Sequence, residues 1–159
     1  MGVDLWMSSG STESQQFLKK FASRCKALHE VMSFTPHYAV FSMPSSDPSV
    51  YQDLCSDTTG NYCAEDPDSS GEVTGKQVLE ENVRQLCIHD LTKVAQTVRQ
   101  EAADKAYESA VKKGNIRGKQ TGVLYAEPYW NYVEKLPDSC PVAGGPSEDS
   151  KFGYTCSRN

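Results

Sequence analysis

The sequence predicts an α/β domain that opens with a strand, a helix and a second strand. Three observations carry the prediction: an apolar run at Val3–Met7 followed by a helical period, an aromatic and β-branched run at Tyr38–Met43, and an amphipathic segment beginning at Gly75. Two strands and a helix within about 45 residues form a βαβ unit, a parallel pair joined by a right-handed crossover. At 159 residues the chain is the size of one domain and too short for two well-built cores.

"VDLWM" is a short apolar run ended by the turn "SSGST", and it reads as a buried strand. Ser11 or Thr12 then caps a helix, Glu13 suits its positive end, and Phe17, Leu18, Phe21, Cys25 and Leu28 share one face. Cys25 therefore points inward, either as a small core hydrophobe or as half of a bridge. Pro36 precedes the second strand, Tyr38–Met43, which ends at Pro44. Residues 44–75 hold most of the turn formers, and a loop that long inside a compact domain needs a pin. A bridge between Cys55 and Cys63, or from either to the neighbouring helix, would supply it.

"GKQVLEENVRQLCIHDL" places Val78, Leu79, Val83, Leu86, Cys87 and Leu91 on a common stripe, the signature of an amphipathic helix. A second helix, long and mostly exposed, is expected from Thr92 to Lys113, with Val94, Val98, Ala102 and Ala106 as a thin apolar edge. Asn115–Val123 reads as loop. Pro128 opens a short aromatic helix containing Tyr129, Trp130, Tyr132 and Val133, which ends near Pro137. Residues 141–159 are linker-like apart from Phe152, Tyr154 and Cys156.

A net charge of -5 argues against a non-specific nucleic-acid or anionic-membrane binder, which needs a basic face. Six cysteines, with no CxxC pair, fit a chain built in an oxidising compartment better than a zinc knuckle or a dithiol motif. The N-terminus lacks the basic and apolar regions of a secretory signal, and no apolar run is long enough to span a bilayer. If the cysteines are bridged, the chain is expected to be a processed or excised piece.

Catalytic chemistry finds little support. His29, His37 and His89 lie in no recognisable nucleophile motif. Glu65, Asp66, Asp68 and Glu72 offer oxygen ligands, but their spacing does not match an EF-hand and Pro67 interrupts the alternation. Cys87 and His89 make only half of a zinc set. No metal and no cofactor are expected. A thioredoxin-type redox site would place its dithiol between the first strand and first helix, where "SSGSTES" has hydroxyls and no sulfur.

The ordered set "FTPHY", "NYCAEDPD", "ENVRQLCI" and "YWNYVEKLPDSCP", with "DLWMSS" before it, resembles the luminal thioredoxin-like region of plant-type vacuolar sorting receptors and their protist relatives. The resemblance runs from Asp4 to Pro141. It implies a divergent, incomplete thioredoxin-like βαβ unit with additional helices and disulfide-pinned loops, occupying residues 1–140, with a helical insertion at 91–127 and a linker at 141–159. It further implies that Cys55, Cys63, Cys87, Cys140 and Cys156 are in disulfides of unspecified pairing. The family departs from this chain at Met43, where a cysteine is usual, and Cys25 has no counterpart.

Receptors of this family bind the sorting signals of soluble hydrolases in the secretory pathway. The resemblance therefore implies a non-enzymatic module that binds protein or peptide cargo in the lumen of the secretory or endomembrane system, or outside the cell, without touching nucleic acid or membrane. Tyr62, Glu65, Asp66, Asp68 and Trp130 are the candidate contacts. Trp130 serves either as an aromatic anchor or as core packing, and the carboxylates either meet a ligand or form a solvated turn. The alternatives are an accessory subunit that joins a larger assembly through the 91–113 helix and, behind it, a thiol oxidoreductase. Asn61–Tyr62–Cys63 is also a rare glycan acceptor, usable only while Cys63 is reduced.

Overall fold

The computed structural model describes residues 2–29, 32–43, 47–67, 73–112, 124–142, Phe152 and Cys156, with the backbone alone for Val50 and residues 94–112. Asp68, Glu72, Tyr154, the loop Asn115–Val123 and the side chains of Val94, Val98, Ala102 and Ala106 lie outside the described residues, as does most of the 141–159 segment. The elements in order are β1 (Gly2–Met7), α1 (Thr12–Ala27), β2 (Ser33–Tyr38), α2 (Pro48–Leu54), α3 (Gly75–Lys112) and α4 (Glu127–Ser139). The architecture is mixed α/β, with a two-stranded parallel sheet and helices.

β1 and β2 pair in parallel, from Gly2 opposite Ser33 to Met7 opposite Tyr38. Side chains alternate along a strand, so Val3, Leu5 and Met7 of β1 and Phe34 of β2 turn toward the core. The same alternation puts Trp6 on the outer face, 72% exposed, which corrects the reading of β1 as a wholly buried strand. β2 begins earlier than its sequence pattern indicated and holds Pro36 opposite Leu5. A strand with a free edge tolerates proline, because the missing N–H can face away from the partner. After Tyr38 the chain makes one more bond to β1, Ala39 N–H to Met7 O at 2.9 Å, and Phe41 then pairs antiparallel with Cys63.

α1 starts where its cap predicts: Ser11 Oγ accepts from the Ser14 N–H at 3.1 Å, an arrangement worth about 1 kcal/mol. Leu18, Ala22 and Cys25 form its buried face and meet Tyr129, Trp130 and Val133 of α4. Phe34 lies 4.6 Å from Trp130 between ring centroids, and Tyr129 meets Trp130 edge-on at 5.1 Å. Lys19 bonds Asp138 at 2.6 Å and Lys26 bonds Glu134, tying α1 to α4 at the rim.

The two helices expected on either side of Leu91 are one continuous helix, α3, because no breaker stands between Leu91 and Thr92. Its start is a reciprocal box: the Gln77 N–H donates to Thr74 Oγ1 at 3.3 Å, and the Thr74 N–H donates to Gln77 Oε1 at 2.9 Å. The face it buries is largely polar, with Glu81, Asn82, Gln85 and His89 all shielded from solvent.

Those groups have partners from distant parts of the chain. The Ser9 N–H donates to Asn82 Oδ1 at 3.0 Å, Ser9 Oγ–H donates to the Val78 carbonyl at 3.1 Å, and Gln15 Nε2 donates to the Ser9 carbonyl at 2.9 Å. Tyr38 Oη donates to Gln85, and Glu81 accepts from Gln85 Nε2 at 2.9 Å, from Tyr132 Oη at 2.8 Å and from Arg84. Gly10 makes the approach possible, since a Cβ there would lie 2.6 Å from Val78 Cγ2.

Candidate ligand groove

The long loop is pinned as its cysteines require. Cys55 and Cys63 are bridged, and both are buried with Tyr51 in a small cluster of their own. Inside the loop, the Asp57 carboxylate accepts from the Asn61 N–H at 3.1 Å, the Tyr62 N–H at 3.2 Å and the Thr59 hydroxyl. The Thr59 hydroxyl bond, with the backbone N–H bonds behind it, holds the Asp57 pKa below the usual carboxylate range. Gly60 turns the chain at φ 72°, where its bare Cα lies against the Tyr51 ring. The Ser56 N–H donates to the Tyr62 carbonyl at 3.0 Å, and the Ala64 N–H donates to Leu54 at 3.0 Å, which seats the loop beside α2. Ser56 and Tyr62 therefore stand on a fixed frame.

Facing that frame is the outer side of α3. Ser56 and Tyr62 on the loop and Leu79, Glu80, Val83 and Arg84 on the helix line a groove of about 640 Å³. Tyr62 is 62% exposed and Val83 51%, so both apolar walls are open to a partner. Arg84 is turned toward buried Glu81, whereas Glu80 stands exposed at the margin. The chemistry on offer is apolar contact with a few polar groups at the rim, the pattern of a recognition surface.

Of the residues singled out from the sequence, Tyr62 lines this groove. Glu65 is exposed and Asp66 half-buried, and neither lines it. Of its two readings, Trp130 takes core packing: it is 1% exposed, enclosed by Phe21, Phe34 and Tyr129. Its place on the buried stripe of α4 with Tyr129, Val133 and Leu136 explains this. Leu79, Glu80, Val83 and Arg84 were not singled out as contacts. The available signal was the Leu79–Val83 step of the apolar stripe, of which Leu79 is also buried with Ala64, Val73 and Val78.

The cysteines sort into two bridges and two thiols. Cys140 pairs with Cys156, joining the end of α4 to the C-terminal segment. Cys87, expected in a bridge, is instead a free and exposed thiol, because it lies on the outer side of α3. His89, two residues on and buried, faces roughly the opposite way at about 100° per residue, so the pair does not converge on a shared metal position. Cys25 is free and buried, and burial pushes its thiol pKa up to about 12. The turn between β1 and α1 carries Ser8, Ser9, Gly10 and Ser11, with Ser9 and Gly10 buried beneath α3.

The family described as "Vacuolar sorting receptor thioredoxin-like domain" matches residues 3–159. Among individual proteins, vacuolar-sorting receptor 6 of Arabidopsis thaliana is 35% identical over 88 residues, which is 51% of this chain and 14% of that receptor. Vacuolar-sorting receptor 7 of the same plant is 31% identical over 99 residues, 54% of this chain and 16% of the receptor. The chain thus spans about a sixth or less of the length of these relatives. With a parallel βαβ opening, two disulfides and a family match over nearly all of its length, the chain belongs to the vacuolar sorting receptor thioredoxin-like domain family and is a sorting-receptor-like module.

Proposed function

We propose that this module binds protein cargo without transforming it, holding a peptide segment in the groove between the Cys55–Cys63 loop and α3, in the lumen of the secretory or endomembrane system. The observation that carries the reading is the groove itself, where Tyr62 and Val83 are left open on two rigid elements while the polar side of the same helix is buried. Fully burying an exposed valine is worth about 1.5–3 kcal/mol, and Val83 at 51% exposure has about half of that left to gain, so Val83 and Tyr62 supply part of the anchoring of a short segment. Thiol exchange is a poor alternative: the turn where it would occur has no sulfur, and Cys25 is buried with a raised pKa.

The test is titration of sorting-signal peptides from soluble vacuolar proteins against this chain, followed by anisotropy. Tyr62→Ala and Val83→Asp should each weaken binding at least tenfold with little change in melting temperature. Unchanged affinity in both would refute the groove as the site.

One observation favours a second reading, an accessory subunit of a larger assembly. Val83, Cys87 and Leu91 continue as an exposed line along α3, with Leu91 73% exposed. Co-purification in a stable complex that Leu91→Asp disrupts would support that role, and insulin reduction by the wild-type chain would instead favour redox chemistry.

A further inference from the structure

Asn61–Tyr62–Cys63 is the single place in the sequence where an asparagine is followed two residues later by serine, threonine or cysteine, and the residue between is not proline. That pattern marks an N-glycan acceptor, because the hydroxyl or thiol two residues on assists the asparagine amide as it reacts. A thiol is a weak hydrogen-bond donor, so the cysteine form accepts less readily.

In the folded chain this motif is closed. Cys63 is 0% exposed, its sulfur is bridged to Cys55, and its N–H and carbonyl are both bonded to Phe41 at 3.0 Å. The finished loop therefore offers Asn61 no thiol. Cys55 precedes Cys63 by 8 residues, so its thiol is already made when Cys63 emerges, and the bridge competes with glycan transfer from that moment. The product, by contrast, fits the fold. Asn61 is exposed one residue after the Gly60 turn, between exposed Thr59 and exposed Tyr62. Its backbone N–H is held by Asp57, and its Nδ2 donates one proton to Thr59 Oγ1 at 2.6 Å. A glycan replaces one of the two Nδ2 protons, and the other remains for that bond.

We propose that Asn61 is an N-glycan acceptor, modified on the nascent chain before Cys63 pairs with Cys55. In this step Asn61 Nδ2 attacks C1 of an oligosaccharide carried on a lipid diphosphate. The C1–O bond breaks, the lipid diphosphate leaves with the electron pair, and Nδ2 gives up one proton as the Nδ2–C1 bond forms. The bridge closes afterwards, its two thiols passing two electrons and two protons to a protein disulfide of the same compartment. Both reactions belong to the lumen, so the site rests on the luminal placement proposed above. Tyr62, the next residue, lines the groove, and the glycan therefore stands at its rim.

The test sends the 159-residue chain into the endoplasmic reticulum of a yeast host behind an added signal peptide and follows pulse-labelled chains by mobility and mass. Transfer precedes folding, so the readout counts every chain made and a variant that misfolds is still scored. The expected result is a slower-migrating fraction of wild type, which peptide-N-glycosidase returns to the faster form with aspartate in place of Asn61. Asn61→Gln and Cys63→Ala should abolish that fraction. Cys63→Thr, which supplies a hydroxyl, and Cys55→Ala, which removes the competing bridge, should each raise occupancy at least twofold. Absence of a glycan from wild type and Cys55→Ala, beside a glycosylated Cys63→Thr, would overturn the proposal. Equal occupancy in wild type and Cys55→Ala would refute the competition with the bridge. A glycan on the directed chain but none on the protein from its own cells would count against the luminal placement and not against Asn61 as an acceptor.

Discussion

Removing the Cys55–Cys63 bridge by the paired change Cys55→Ala and Cys63→Ala tests the link between the pinned loop and the groove. The bridge closes a loop with a sequence separation of 8, and chain entropy assigns such a closure about 2.5 kcal/mol. For a domain of this size that lowers the melting temperature by about 5–10 °C. The matched control is Cys140→Ala with Cys156→Ala, whose separation of 16 predicts a similar loss of about 3 kcal/mol. The two variants should therefore melt alike in calorimetry. They should differ in binding, because Ser56 and Tyr62 lie inside the first loop and nothing in the groove lies inside the second. Peptide affinity should fall more than tenfold in the first variant and stay within twofold in the second. Equal affinities would show that the bridge does not position the groove, and a first variant as stable as wild type would refute the entropic account of the pin.

Three further outcomes follow from the buried groups. Arg84→Ala should destabilise the fold by about 3–5 kcal/mol, because it leaves the Glu81 carboxylate buried without its ion pair; chemical denaturation in a Glu81→Gln background should show less than half that loss. Native protein should react with a thiol reagent at Cys87 alone, and Cys25 should join only in denaturant, since it is buried with its pKa raised to about 12; two fast thiols under native conditions would contradict the packing of α1. His89 is held neutral, its pKa lowered first by burial and then by Lys93. The unfolded chain therefore takes up the proton first, so stability is full above pH about 6.5 and declines as pH falls toward the folded value. His89→Gln should flatten that part of the melting profile, and an unaltered slope would assign it to other groups.

What the sequence made legible was local. The Ser11 cap, the inward Cys25, the aromatic stripe of α4 and the need for a pin between Pro44 and Gly75 each depend on neighbours within a few turns. The Cys55–Cys63 bridge lies inside one such stretch, and the sequence offered it beside a bridge from either cysteine to the neighbouring helix. β2 was displaced because a proline usually argues against a strand, and that rule relaxes on an edge with a single partner. The mixed α/β class survived the shift, since strand order and the crossover do not depend on where β2 begins.

α3 was misread for a different reason. Hydropathy grouped Val78, Leu79, Val83, Leu86, Cys87 and Leu91 on one stripe; Val78 and Leu79 are buried, but Val83, Cys87 and Leu91 are exposed, because a helix buries whichever face finds partners. Glu81, Asn82 and Gln85 are matched by Tyr132, Arg84, Ser9 and Tyr38, most of them far away in sequence. Each of these bonds offsets part of the cost of burying a polar group, although Asn82 Nδ2 is buried without a hydrogen-bond partner among the described residues, and periodicity carries no record of such distant pairings. The groove therefore came in part from residues that looked structural, while Trp130 took the core-packing alternative of its two readings.

The orientation of α3 also joins two properties of the module that would otherwise seem unrelated. Its buried polar face bonds the β1–α1 turn through Ser9, and Gly10 lets the helix come down on Val78. That contact covers the position at which a thioredoxin-type fold would expose its dithiol. The same rotation of the helix turns Leu79 and Val83 toward the stapled loop and leaves Cys87 and Leu91 in solvent. A helix turned by half a revolution would expose Glu81 and Gln85 and lose the wall facing Tyr62. Closing the turn and opening the groove are thus one structural choice, made by the pairing of Ser9 with Asn82 and of Glu81 with Tyr132.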